Sequence, residues 1–175
     1  AGGNVSRFDD LCKEYAASRT RYFNYRDECE AVAGSLIAGL VSHLGCPEET
    51  ISFHPSNEAD EKPETFYSLM GVMNMQKDTY WHFKVGILVH IASDISPKQR
   101  NLFEFTLKKK DGRFVVKVTT DGKEFAFVPN DAGTFTPIYD EVFQLMMTRY
   151  RTGLDKFLEK DDQVRKIGFE PTAKV

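Results

Sequence analysis

The sequence has 175 residues, of which 41% are hydrophobic and 28% are charged, with a net charge of −3. So much apolar surface excludes a disordered chain, and no apolar run approaches the roughly 20 residues that a membrane-spanning helix needs. The slightly acidic balance argues against a protein that binds nucleic acid over its whole surface, because such proteins are usually basic.

The length suits one domain, and we therefore expect a single α+β domain over residues 1–175. We set residues 1–5 aside as an expression remnant or a disordered end. The polar segment 161–175 is expected to be a loosely ordered tail.

Three cysteines, Cys12, Cys29 and Cys46, lie far apart and without CxxC spacing. An odd number at this spacing indicates reduced thiols rather than a disulfide framework. The N-terminal residues show no signal-peptide pattern, in which a basic flank precedes an apolar stretch. Both observations predict a cytoplasmic protein.

Helical periodicity runs through residues 6–44. Ser6 is a favourable N-cap, and Gly45 is a favourable stop. The sequence leaves open whether the segment forms one helix or two, and Asn24 and Tyr25 mark the favoured break. The apolar positions recur at helical spacing: Phe8, Leu11, Cys12, Tyr15, Tyr22, Cys29, Val32, Ala33, Leu36, Ile37, Leu40, Val41 and Leu44.

The period then changes from 3.6 to 2, which indicates strands. We expect a short strand at Ile51–His54, an extended segment over 65–76, a turn at Lys77 and Asp78, and a strand over 79–91. One face of the 79–91 strand is expected to be buried, and it carries Trp81, Phe83, Val85, Ile87, Val89 and Ile91. The opposite face carries Tyr80, His82, Lys84, Gly86, Leu88 and His90.

Two more hairpins follow, with Asp-Gly turns at residues 111–112 and 121–122. A loop over 129–135 then leads to a final helix that begins near Thr136. The apolar stripe expected on this helix comprises Ile138, Val142, Leu145, Met146, Tyr150, Leu154, Phe157 and Leu158. The predicted fold is an antiparallel meander of five or six strands, with the N-terminal helix or helices and the long C-terminal helix packed on one face.

No recognisable catalytic or cofactor motif accompanies these elements. The four histidines, His43, His54, His82 and His90, lack the short spacings that place two ligands on one metal ion. Nucleophile-elbow and phosphate-loop patterns are missing. The sequence therefore predicts no metal and no cofactor, and it leans towards a protein that is not an enzyme.

Two stretches combine arginines with aromatic residues, one over residues 19–26 and one over 148–151. Such a mixture can form a protein interface or can bind phosphates and stack on bases. The candidate binding residues are those of the two stretches and of the outer sheet face: Arg19, Arg21, Tyr25, Arg26, Tyr80, His82, Lys84, Arg149 and Arg151.

Three functions remain open from the sequence. The favoured one is a non-catalytic binding or adaptor protein that contacts another protein, or a second copy of itself, through the outer sheet face or the Arg/Tyr-rich helical surface. The second is a small-molecule binder or enzyme with a cavity between the sheet and the C-terminal helix. The third is nucleic-acid binding through the arginines of the two stretches.

Overall fold

The computed structural model describes residues 6–92, 94–119, 122–128 and 134–159. The segments 1–5 and 161–175, the predicted turn residue Asp121 and most of the predicted loop over 129–135 lie outside these ranges. No helix in the described part of the chain is both long and apolar enough to cross a lipid bilayer.

Helix α1 spans Arg7–Leu44 without interruption. It begins at a capping box, in which the Ser6 hydroxyl accepts a hydrogen bond from the Asp9 amide at 3.1 Å and the Asp9 carboxylate accepts one from the Ser6 amide at 2.9 Å. It ends at Gly45, whose φ of 62° is the left-handed conformation that glycine adopts readily. The break considered at Asn24 and Tyr25 does not occur, and neither residue is a proline or glycine that would force one.

A six-stranded antiparallel sheet forms the middle of the molecule. Its path is β1-β3-β4-β5-β6, and β2 pairs with β3 beside β1. Along the chain, the six strands follow one long helix and precede another. This order, with antiparallel pairing of the strands, confirms the predicted α+β meander. The strands are β1 (Ile51–His54), β2 (Asn74–Met75), β3 (Trp81–Val89), β4 (Gln99–Lys110), β5 (Arg113–Val118) and β6 (Glu124–Phe127).

The alternation of apolar with other residues in β3 predicts one buried face, and the apolar residues of that face from Trp81 to Ile87 are buried. Phe83 pairs with Phe105 of β4, and the two rings stack with their centroids 5.6 Å apart. The hairpin from β4 to β5 turns through Asp111 and Gly112, both at positive φ, as the Asp-Gly pair predicts. The prediction for Ile91 is wrong, since β3 ends at Val89 and the Ile91 side chain is 87% exposed.

The expected extended segment over 65–76 is only partly extended. It contains the short helix α2 (Leu69–Val72) followed by the two-residue strand β2. The Ser68 side chain accepts a hydrogen bond from the Gly71 amide at 3.1 Å and so caps the helix. Leu69 and Val72 are both buried and lie three residues apart, which is helical spacing. The alternating pattern expected of a strand does not predict it.

Helix α3 (Thr136–Glu159) and the C-terminal half of α1 cover one face of the sheet. The Tyr139 hydroxyl donates a buried hydrogen bond of 2.9 Å to the Leu36 carbonyl and so joins the two helices. Burial raises the pKa of Tyr139 to about 12. Beyond residue 149, Tyr150, Leu154 and Leu158 of the predicted stripe are exposed, and the Phe157 side chain lies outside the described structure.

Candidate functional site

The first part of α1 projects away from the rest of the protein. Every residue from 7 to 22 is exposed, and the first buried side chain of the helix is Cys29. We call residues 7–22 the arm. At 1.5 Å per residue the arm extends for about 24 Å.

The arm carries an apolar stripe that nothing in the described structure covers. Phe8, Leu11, Tyr15 and Tyr22 are 71%, 67%, 65% and 47% exposed. Their spacing is that of positions a and d of a heptad repeat, which lie on one side of a helix. The same repeat continues into the core, where Cys29 and Leu36 are fully buried.

The arginines predicted to bind lie on or next to this stripe. Arg19 donates to the Tyr15 hydroxyl at 3.4 Å, and its guanidinium lies 5.2 Å from the centre of the Phe23 ring. Arg26 lies over the same ring at 5.0 Å and pairs with Asp27 at 3.0 Å. Arg21 is exposed.

Tyr25 marks the point where the arm meets the sheet. Its hydroxyl accepts a hydrogen bond from the Lys109 amide at 3.5 Å, and the neighbouring Glu28 forms an ion pair with the Lys109 ammonium. Partial burial raises the pKa of the Tyr25 hydroxyl. Tyr25 is therefore half-buried, and it shares its heptad repeat with the exposed arm residues.

The structure separates the two arginine stretches. Arg149 donates to the Asn101 amide oxygen at 3.0 Å, near the start of β4, whereas Tyr25 contacts Lys109, near its end. Eight residues of strand correspond to roughly 26 Å. Arg149 and the exposed Arg151 therefore do not form one surface with the arm.

On the outer sheet face the predicted residues contact neighbouring polar groups. The ring of Tyr80 lies 5.4 Å from the Lys108 ammonium and 5.0 Å from that of Lys117. Lys84 lies 3.7 Å from a carboxylate oxygen of Glu58. These cations already have partners on their own surface.

His82 is a buried residue on this outer face. Its Nε2 lies 2.7 Å from Asp78 Oδ2, and its Nδ1 lies 3.2 Å from Glu104 Oε1. Only about 4% of its side chain is exposed. Partial desolvation alone would raise the pKa of Asp78, but hydrogen bonds from the Tyr80 amide and the His82 ring hold that pKa below its ordinary value.

A second histidine cluster lies at β1, outside the residues that the sequence predicted to bind. His54 Nε2 lies 2.7 Å from Ser52 Oγ, and His54 Nδ1 lies 2.6 Å from Glu61 Oε1. Ser52 and His54 are two residues apart on one strand, so their side chains share a face. They adjoin a cleft of about 710 Å³ that is also lined by Arg100 and Phe66.

A signal for this cluster was present in the sequence. Gly86 lies in the interior of a strand, where glycine often marks a close approach. It pairs with Ser52, and a Cβ at Gly86 would overlap the Ser52 hydroxyl. Glu61 could not have been found in this way, because only the chain path after β1 brings it to His54.

Within the described residues, no group of three or more histidine, cysteine, aspartate or glutamate side chains is arranged to hold a metal ion. Comparisons with known proteins give no match: neither a family model, a curated protein nor a solved structure resembles the chain significantly.

Proposed function

We propose that this chain is a binding or adaptor protein that associates through the arm, and that the arm pairs with the arm of a second copy. The observation that carries the proposal is the stripe of Phe8, Leu11, Tyr15 and Tyr22, which is exposed although its continuation is buried in the core. Large exposed apolar stripes on a helix are typical of surfaces that pack against another helix.

Charge on the arm favours an antiparallel pair. When Leu11 lies opposite Tyr22 of the second copy, the flanking position g places Glu14 opposite Arg21 of that copy. The same register places Arg7 opposite Glu28, which also pairs with Lys109 of its own chain, and two-fold symmetry repeats both contacts. A parallel pair would set an attractive contact of Glu14 with Arg19 against a repulsive contact of Arg21 with Arg26, so its charges would largely cancel.

The antiparallel register also places each apolar residue of one arm opposite a residue of the other arm. Phe8 meets Tyr25 of the second copy, and Tyr15 meets Ser18, so large rings lie opposite smaller or half-buried partners. The paired segment runs from residue 8 to residue 25. The pairing therefore ends where the sheet begins to cover α1, at Tyr25.

Association places four large side chains of each copy against the other. Burial of one such side chain is worth about 1.5–3 kcal/mol, whereas association costs about 4–15 kcal/mol of lost freedom. For the eight side chains of a pair, the summed burial exceeds the cost of association over most of these ranges, so pairing is favourable.

Sedimentation velocity at rising concentration tests this proposal. The wild-type chain is expected to shift from monomer to dimer, whereas Leu11→Glu is expected to stay monomeric because it places a carboxylate in the apolar contact. Thr20→Glu is the matched control: it adds the same charge at position f, on the opposite side of the arm, and should dimerise normally. A wild-type chain that stays monomeric, or a Leu11→Glu variant that dimerises equally well, would refute the proposal.

We place the association on the arm rather than on the outer sheet face because Tyr80, Lys84 and His82 contact partners within their own surface. Nucleic-acid binding has less support, because its five arginines lie on two separate surfaces.

The three cysteines are unpaired thiols, which supports the proposal that the protein works in the cytoplasm.

A further inference from the structure

We infer that Ser52, His54 and Glu61 form a second site, a serine-dependent acyl-transfer centre that hydrolyses carboxylic esters. Ser52 is the nucleophile, His54 is the general base, and Glu61 is a positioning residue that acts through His54. The inference goes beyond association through the arm and does not depend on it, since the cluster lies at β1 on the outer sheet face.

The hydrogen bonds of the cluster define one direction of proton transfer. An ionised Glu61 can only accept, so the His54 Nδ1 that faces it carries the proton. In the neutral imidazole the other nitrogen, Nε2, is then an acceptor. With the ring in this neutral form, the Ser52 hydroxyl donates to Nε2, and this is the arrangement in which a histidine activates a serine.

Both distances are within the range that such a relay requires. Contacts of 2.7 Å from hydroxyl to imidazole and 2.6 Å from imidazole to carboxylate lie inside the 2.6–3.2 Å or so expected of a nucleophile, its base and the group that orients the base. The His54 side chain is about 9% exposed, so its ring is held by packing as well as by hydrogen bonds. Ser52 is half-buried at the cleft wall, where a substrate can reach it.

Gly86 and Arg100 complete the surroundings of the serine. Gly86 faces Ser52 across the strand pair, and its missing side chain leaves the space that the Ser52 hydroxyl and the His54 ring occupy. Arg100 lines the same cleft, and no described carboxylate forms an ion pair with it. Its guanidinium is therefore a cation that can stabilise negative charge on a carbonyl oxygen.

The cleft also indicates the class of substrate. Phe66 and Tyr67 form part of its wall, and the Phe66 ring is fully exposed to solvent at the rim. An ester with a short apolar acyl group can place that group on these rings while its carbonyl oxygen faces Arg100. The volume of about 710 Å³ is adequate for a molecule of this size.

The other buried histidine shows why the Ser52 cluster is distinctive. Both nitrogens of His82 face carboxylate oxygens, so its ring has no hydroxyl to activate. His54 instead lies between one carboxylate and one hydroxyl. Only the second arrangement links a potential nucleophile to a base and then to an orienting acid.

The reaction follows from this geometry. Ser52 Oγ attacks the carbonyl carbon of the ester while its proton passes to His54 Nε2, and the carbonyl oxygen takes the negative charge. The bond to the leaving alcohol then breaks, and that alcohol receives the proton from His54. Water attacks the acyl-serine in the same way, gives a proton to His54, and releases the carboxylic acid as the proton returns to Ser52.

The test uses the full chain with p-nitrophenyl butyrate as substrate and a fluorophosphonate as covalent probe. The wild-type protein is expected to hydrolyse the ester, and peptide mapping by mass spectrometry is expected to locate the probe on Ser52. Ser52→Ala should lose labelling and hydrolysis. Ser42→Ala, which removes a hydroxyl from the surface of α1, is the matched control and should leave both unchanged.

A second variant tests whether Glu61 positions the His54 ring or only stabilises the fold. Glu61→Gln is expected to lower kcat by about 10²-fold or more with little change in KM, because it disturbs the imidazole and not the substrate contacts. Thermal melting checks that each variant is folded. Probe found on another residue, no hydrolysis by the wild-type chain, or a kcat of Glu61→Gln equal to that of the wild type would each overturn the inference. The mapping on wild-type protein decides the question even when Ser52→Ala fails to fold.

Discussion

Phe8 and Leu36 occupy the same position of one heptad repeat in α1, four heptads apart, yet Phe8 is 71% exposed and Leu36 is fully buried. One continuous helix thus uses a single apolar stripe in two ways. Its C-terminal half packs against the sheet and α3, whereas the apolar residues of its N-terminal half are exposed.

Charge reversal tests the proposed register. Glu14→Arg or Arg21→Glu alone is expected to weaken self-association about tenfold or more, because each turns two symmetric ion pairs into like-charge contacts. The double variant should restore the pairing, and so should an equimolar mixture of the two single variants. Sedimentation equilibrium measures all four cases. No recovery in either the double variant or the mixture would contradict the register.

Alanine substitutions at two glycines in the interior of α1 are expected to have opposite effects on stability. A Cβ at Gly39 would overlap the Tyr139 hydroxyl, whereas a Cβ at Gly34 would meet nothing nearby. Gly39→Ala is therefore expected to destabilise the fold by about 1–3 kcal/mol. Gly34→Ala should be neutral or stabilising by up to about 1 kcal/mol, because alanine favours a helix. Urea unfolding measures both, and equal effects would argue against the close contact of α1 with α3.

The cysteines are expected to differ in reactivity. Cys12 is exposed on the arm, whereas Cys29 is fully buried and burial raises its pKa to about 11. A thiol reagent at neutral pH should modify Cys12 quickly in the native protein, and Cys29 only after unfolding. Mass spectrometry of the modified peptides reads the result. Rapid modification of Cys29 in native protein would contradict the packing of α1 on the sheet.

The contact of Asp78 with His82 predicts a pH effect. Because the folded pKa of Asp78 is lowered from 3.8, this carboxylate stabilises the fold above that unfolded value, and the contribution is lost as the pH falls through the folded value. Asp78→Asn should therefore cost on the order of 1 kcal/mol or less at neutral pH, since the group is half exposed.

Unfolding curves of Asp78→Asn and wild type between neutral pH and pH of about 3 measure this difference, which should shrink towards the acid end. Asp155→Asn, at an exposed position on α3, is the control and should show no such trend. A difference that grows as the pH falls would have the wrong sign for a carboxylate stabilised in its ionised form.

Much of the fold was predictable because its signals are local. Alternation in β3, the Asp-Gly turn at residues 111–112 and the cap at Ser6 each depend on neighbouring residues only. Helix α2 was missed because a single turn of helix is too short to show a period. The burial of His82 on the face expected to be polar depends on Asp78 and Glu104, and Glu104 is distant in sequence.

The candidate surfaces were only partly predictable for the same reason. The arginines and tyrosines of the arm are visible in the sequence, but the same stripe predicts a buried helix face just as well. Only the extent of the sheet shows that it covers α1 from about Tyr25 onwards and leaves Phe8 exposed. The contact of Glu61 with His54 likewise depends on the path of the chain between them.

A distance between spin labels tests the antiparallel arm pair most directly. Asp10→Cys, labelled in a chain with Cys12 and Cys46 replaced by serine, reports on one position near the N terminus of each arm. The antiparallel register places the two labels roughly 20–35 Å apart in the dimer. Dipolar spectroscopy that finds this separation, strengthening with protein concentration, is the predicted result. No coupling at high concentration, or a separation well below about 20 Å, would contradict it.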